Sequence, residues 1–316
     1  MSHQPHESNW YVLVYDLQLE DPRIHLASGL SLRTLESPLS VFDLAAAGAA
    51  GFQAWATLEP FAPGCRCEIE SALDAATMPG YDTLNRAWLV SAMLTLRGFG
   101  AHLPLACSSY SWNVVAGHQE RTKEQFHDQL REEGIDAAVY SSKRELPPIK
   151  GNLLDYHLRL MLERDCRREA FGEEDASWIR GNFDAFNRLA NESDKFRFAL
   201  EAAVDWRYGK DPRAAISRIW GGIEAIFGIS SELVFRISLL ASALLAPRGD
   251  PRKKKFAEVK KLYGMRSKAV HGESLSSDLL ADAMNDSYEL LRDILVLIVE
   301  KGSPFSDRDL DEAVFG

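Results

Sequence analysis

"KRELPPIKGN", residues 143–152, divides the chain into two parts with different hydrophobic periodicities. Two consecutive prolines flanked by charge suit a stiff linker. Before it, apolar residues come in short runs broken by Pro22, Pro60, Pro63 and Pro79. After it, they recur every three or four residues, the repeat of one helix face. The expected fold class is therefore α+β: a mixed α/β domain over residues 1–145, then an all-α helical bundle over residues 151–316.

In the first part, "WYVLVYDLQL" (10–19), "RIHLASGLSLRTL" (23–35), "FQAWATLEPF" (52–61), "CRCEIES" (65–71) and "LPLACSSYSW" (103–112) read as strands, and "AAVYSS" (137–142) as the closing one. "YDTLNRAWLVSAMLTLRGF" (81–99) reads as a helix, and 117–134 as an exposed helix or loop. In the second part, helices are expected over 152–168, 175–208 and 212–227, the last opened by Asp211 and Pro212. Three more follow: one capped by Ser230 or Ser231 and stopped at Pro247, one over 252–272, and one from Ser276 or Ser277 to Gly302. Long helices joined by short loops predict an antiparallel bundle.

Wound at about 100° per residue, the helix over 252–272 places Val259, Leu262, Tyr263 and Val270 on one stripe. Arg266 sits in the middle of it. His271 projects about 140° away and Gly272 follows. An ionised group on a core-facing stripe costs several kcal/mol unless it is paired or faces a cleft. Arginine does not escape by losing its proton. One solution is a structural ion pair, with Glu224 as the candidate partner; the other is a cleft that offers the guanidinium to an anion such as phosphate. Histidine is the side chain best suited to proton transfer near neutral pH.

Charge is unevenly spread. Residues 248–268 hold nine Lys or Arg against Asp250 and Glu258, a local +7 in a chain of net charge −10. The overall acidity argues against a protein that coats nucleic acid with its whole surface, while leaving room for a local basic site. Arg266, His271 and this segment together form a toolkit for cleaving RNA with the 2′-hydroxyl as internal nucleophile, without a metal. The four cysteines make no disulfide framework, and the C-x-C at 65–67 lacks the second pair that a zinc site needs. "LLASALLA" and "DILVLIV" are too short to cross a bilayer. The expectation is a cytoplasmic protein with no membrane, metal or cofactor. There is no G-x-x-x-x-G-K-[ST] loop and no G-x-S-x-G elbow. "WGGIEA" (220–225) reads instead as small residues that allow close helix approach.

"YGMRSKAVHGE" (263–273) resembles the core motif of HEPN domains, most closely the Apea-like branch. That motif is Arg, a polar residue, then His after four to six positions: here Arg266, Ser267 and His271. Arg97 to His102 and Arg121 to His127 match the bare spacing too. They lack the upstream Tyr263, the "VHG" ending, and the preceding "WGGIEAIFG" (220–228) and "ELVFRISLLASALL" (232–245), which match the branch in type and order. The resemblance covers roughly 180–301. It implies a helical domain that homodimerises and, in many members, acts as a metal-independent endoribonuclease in bacterial anti-phage defence or growth arrest. Arg266 would bind the scissile phosphate, His271 would move the proton, Ser267 would orient one of them, and Glu224 would position Arg266. Tyr263 and Gly272 would support the motif. Lys253, Lys254, Lys255, Lys260, Lys261 and Lys268 would follow the RNA backbone, and the N-terminal domain would sense a trigger or ligand. Two other readings stay open: a non-catalytic nucleotide- or RNA-binding module, and a scaffold or interaction protein in which Arg266 is structural.

Overall fold

The computed structural model describes residues 9–46, 57–72, 83–140, 145–147, 149, 152–153, 161, 164, 166–209, 211–229 and 231–316. The chain is α+β, a sheet-bearing N-terminal part followed by helices. It forms two compact units, residues 1–156 with 167–181, and 157–166 with 182–316. The division differs from a single break at 145–151 because residues 167–181 belong with the sheet. Phe171 pairs with Leu19, and the buried Asp175 carboxylate meets Arg97 and Arg167, each at 2.7 Å.

The first unit holds a fully antiparallel six-stranded sheet in the order β2-β3-β4-β1-β5-β6. Its strands are β1 (Trp10–Tyr15), β2 (Arg23–Ala27), β3 (Leu30–Thr34), β4 (Cys65–Ser71), β5 (Leu103–Ser108) and the short β6 (Asn152–Leu153). The register explains the alternation in "CRCEIES". Ile69 lies opposite Val12 and Leu32 on one face, while Glu68 lies opposite Leu13 and Arg33 on the other. Helix α1 (Val41–Ala46) and helix α2 (Thr83–Leu96) precede β5; after it come α3 (Trp112–Val115), α4 (Lys123–Glu132) and α5 (Ala137–Tyr140). Several expectations fail here. Thr57–Phe61 is a turn rather than a strand, and residues 52–56 lie outside those described. Ala137–Tyr140 is a helical turn, so Asn152–Leu153 takes the sheet position assigned to "AAVYSS".

Glu68 is wholly sheltered from water. Its carboxylate accepts from the Ser111 hydroxyl and the Trp112 backbone N–H, both at 2.7 Å, with Arg33 at 3.6 Å. Arg33 also grips Glu133 at 2.5 Å and lies 3.9 Å from Glu70. These partners explain why a strand of the core tolerates two acids. Desolvation still dominates and raises the Glu68 carboxyl from 4.5 to about 7, although Arg33 and both hydrogen bonds pull the other way.

The second unit is a helical bundle. Helix α6 (Glu173–Glu192) crosses the division between Gly181 and Asn182, and is followed by α7 (Asp194–Asp205), α8 (Pro212–Phe227), α9 (Leu233–Leu245), α10 (Asp250–Val270), α11 (Ser277–Lys301) and α12 (Asp307–Phe315). The stretch 175–208 is thus two helices and a terminal 3-10 turn. Ser193 interrupts it by accepting from the Phe196 N–H as the cap of α7. The segment 152–168 is not one helix: it opens as β6, Cys166–Arg168 is irregular, and most of the remainder lies outside the described residues. Helix α9 starts without a serine cap; Glu232 occupies the position at φ +52°, and Ser230 lies outside the described residues. Helix α12 was not expected, although Ser306 and Asp309 form a capping box.

Helix α8 sits between α7, α10 and α11. Ile216, Ile219, Trp220 and Ile223 are buried on it, as are Leu291, Ile294 and Leu295 on α11, the helix it packs against. Gly222 is a point of close approach to α7 and α11, as "WGGIEA" suggested. A Cβ there would lie 3.1 Å from Ala202 Cβ and 3.2 Å from both Ala199 Cα and Leu291 Cδ2.

Two outcomes follow. Because the folded state holds the Glu68 proton more tightly than the unfolded chain, the contribution of this group is complete below pH 4.5 and lost as pH rises through about 7. Denaturant titrations should show a decline of about 3 kcal/mol across that window, absent in Glu68→Gln. Gly222→Val should cost about 1–3 kcal/mol by overpacking, read as a lowered midpoint, with Gly221→Val costing less at that contact because only the Phe198 ring lies near it.

Candidate functional site

Helix α10 runs from a non-side-chain cap at Gly249 to a glycine-closed end. Val259 and Tyr263 are buried on the expected stripe, and Leu262 is half-buried. Val270 departs from it at 44% exposure. It lies in the last residue of the helix, where the chain turns away, and Ala269 is buried in its place.

Tyr263 seats its ring edge-on against Trp220 of α8, centroids 5.1 Å apart, and the Trp220 indole N–H donates to Ser287 of α11 at 2.9 Å. One turn on, the Arg266 guanidinium lies 5.4 Å from the Tyr263 ring centre and 3.3 Å from the Glu224 carboxylate. The Tyr263 hydroxyl donates to the same Glu224 oxygen at 3.4 Å. Burial, then the charge of Glu224, raises the Tyr263 phenol above its ordinary range. The structure thus joins Arg266, Glu224 and Tyr263. Arg266 is not enclosed: its side chain and that of Glu224 are each 24% exposed, and Nε, although buried, has no hydrogen-bond partner among the described residues. Among the described residues, the fully enclosed arginine is Arg207, in the 3-10 turn after α7, which the sequence did not single out.

His271 is exposed and caps α10. The Gly272 N–H bonds to the Ala269 carbonyl and the Glu273 N–H to that of Lys268, with Gly272 at φ +76°: a Schellman ending, which accounts for the glycine. Arg213, which the sequence did not single out, donates to the carbonyls of Ala269 and Glu273 at 2.8 and 2.7 Å and so braces the turn carrying His271. No hydrogen bond or ion pair joins His271 to Arg266 among the described residues. Ser267 is half-buried, and its hydroxyl makes no hydrogen bond among them.

The basic segment divides by side. Arg248 and Arg252 donate to the carbonyls of Val314 and Ala313 at the end of α12. Lys253 pairs with Asp250 at 3.1 Å, and Lys254 and Lys255 lie 4.0 and 3.7 Å from Glu258. Lys255 and Lys261 also line a groove of about 430 Å³ between α10 and α11 whose other walls include Asp282, Asp286, Glu289 and Asp293. Arg164 lines the same groove and pairs with Asp282, Asp286 and Glu289 at 2.8–3.6 Å. With Glu258 and Asp293 the groove holds five acids against three cations, a weaker field for a phosphate backbone than the lysines alone would give. Lys260 and Lys268 are exposed and make no ion pair among the described residues.

The two other Arg/His spacings are structural. Arg97 binds Asp175, while His102 is buried 2.7 Å from the Ser91 hydroxyl. Arg121 donates to the carbonyls of Asn113 and Val114, and the His127 ring lies beside Phe126. Cys65 and Cys67 are buried, and desolvation pushes the Cys65 thiol up to about 12. Among the described residues, no group of three or more His, Cys, Asp or Glu is arranged to hold a metal, and no helix is long and apolar enough to cross a membrane.

A double-mutant cycle of Arg266→Ala and Glu224→Ala should give a coupling of about 1 kcal/mol, larger than a surface pair because both groups are mostly sheltered. Glu224→Gln should bring the Tyr263 phenol down toward its ordinary value in a spectrophotometric titration. Comparisons with family models, curated proteins and solved structures give no match to this chain.

Proposed function

We propose that the helical unit is a HEPN-type, metal-independent endoribonuclease domain, of the kind that acts in bacterial anti-phage defence or growth arrest, working as a homodimer on RNA. The supporting observation is the state of Arg266. A guanidinium that only braced a bundle would spend its fork on one carboxylate. Here a single Nη2 contact to Glu224 orients it, Nε stays uncommitted, and part of the side chain faces water.

In this reading His271 takes the proton from the 2′-hydroxyl, whose oxygen attacks the adjacent phosphorus. Arg266 stabilises the added charge on the pentacovalent phosphorane. The P–O5′ bond then breaks as the 5′-oxygen takes up the proton that the imidazole gained, leaving a 2′,3′-cyclic phosphate and a 5′-hydroxyl and returning His271 to its starting state. Ser267 orients the imidazole or the phosphate, and Glu224 positions the guanidinium.

A second reading, a module that binds RNA without cutting it, is favoured by one observation: Arg266 and His271 leave the helix about 140° apart and do not touch. Incubation of the full chain with end-labelled RNA in EDTA separates the two. Cleavage to cyclic-phosphate ends is expected, falling roughly 10²–10⁴-fold in His271→Ala and markedly in Arg266→Ala. Retained RNA binding with no fragments from the wild type would favour the second reading.

A further inference from the structure

One side of α10 is unlike the rest. At about 100° per residue, Phe256, Lys260, Gly264, Ser267 and His271 fall within about 80° of one another. They form a strip about 22 Å long at 1.5 Å rise per residue. Lys260, Gly264 and His271 are exposed, and Phe256 and Ser267 half-buried. A Cβ on Gly264 would meet nothing within 4 Å, so the backbone lies open halfway along. At the Phe256 end, Phe235 of α9 meets its ring in a T-shaped contact, centroids 5.9 Å apart and planes at 71°. Phe235 is 56% exposed and its neighbour Val234 37%. Arg236 is exposed beside them with no ion pair among the described residues. The helix's own acids, Asp250 and Glu258, lie about 80° and 160° around from Lys260, and the nearest acid on α9, Glu232, precedes its first turn.

We propose that this strip is a track for single-stranded RNA: an unpaired base stacks on the open face of Phe235 against Phe256, Lys260 and Arg236 hold the backbone, and the strand runs past Gly264 to His271. The inference rests on the reading of RNA as the partner and adds the class of RNA, unpaired rather than duplex. Aromatic faces accept any base, and a duplex hides its bases from them. A purely apolar protein contact would not explain two exposed cations without ion pairs among the described residues, one next to Phe235 in the chain and one a helical turn beyond Phe256. The groove on the opposite side of α10 sets five acids against Arg164, Lys255 and Lys261, whereas Lys260 on this side has no acid paired with it among the described residues, so this side offers phosphate the more favourable field.

The test is fluorescence anisotropy with a labelled, mixed-sequence 2′-O-methyl oligonucleotide, which the proposed cleavage chemistry leaves intact, offered to the full chain as a single strand and as a duplex. The single strand should bind more tightly. Phe235→Ala should weaken it roughly ten-fold or more, as loss of a stacked base does, with Phe235→Trp restoring affinity. Lys260→Glu should weaken it and flatten its salt dependence. Thermal melts of the Phe235 variants, close to wild type, exclude loss of folding. Equal affinity for duplex, or Phe235→Ala and Lys260→Glu both binding as wild type, would overturn the track. So would a Phe235→Ala protein that changes oligomeric state while keeping its RNA affinity. Phe235-dependent binding without any cleavage leaves the track standing and removes the nuclease reading; cleavage with Phe235-independent binding does the reverse.

Discussion

The Trp220 indole is the point where three helices of the bundle are tied together. Burying so large a ring removes much apolar surface from water, but its N–H must then find an acceptor. Ser287 on α11 supplies it, and Tyr263 on α10 closes the ring's flank edge-on. Tyr263 in turn is the surface over which Arg266 lies and the donor that holds Glu224. The candidate site is therefore not an appendage of the fold. Its guanidinium, carboxylate and phenol rest on a buried tryptophan, and Gly222, two residues along the same helix, lets α7 and α11 come close enough to enclose it.

Legibility differed between the two units for physical reasons. The bundle helices announce themselves through three- and four-residue repeats and strong punctuation: Asp211 and Pro212 open α8, Gly228 ends it, Ser276 and Gly302 bound α11. Where punctuation is subtle the reading slips, as at Ser193, a single capping residue inside an unbroken apolar pattern, and at α12, a short helix signalled only by its capping box. The sheet was harder. Strand order depends on partners far apart in the chain, and "CRCEIES" looks half-polar because its acids meet Arg33 rather than water. The Glu68 environment is made by Ser111, Trp112, Arg33 and, through Arg33, Glu133, none of which is near it in sequence.

At the site, residue spacing located the Arg266–Glu224 pair, because both lie on the inward sides of strongly periodic helices. It did not find Arg213, whose role depends on the carbonyls of a turn more than fifty positions away. Nor did a count of charges describe the basic segment. Of its nine cations, two donate to carbonyls, others lie beside acids, and two line an acidic groove; the formal +7 overstates the field that a ligand would meet. HEPN membership remains a resemblance carried by one motif and its flanking helices, and the geometry bears on what that motif can do rather than on its ancestry.

Arg248 and Arg252 hold the tail end of α12 by its last carbonyls. Those oxygens are the unsatisfied acceptors of a helix terminus, so the clamp both seats the helix and occupies guanidinium hydrogens that would otherwise point outward. Any event that lifts α12 away, a protease cut or a competing peptide, would release the Arg248 guanidinium at the foot of α10, while Arg252 would keep its bonds to the Ala243 and Ala246 carbonyls. The charge displayed at the start of α10 is in that sense adjustable at Arg248, and the nine-residue helix α12 is the element that sets it.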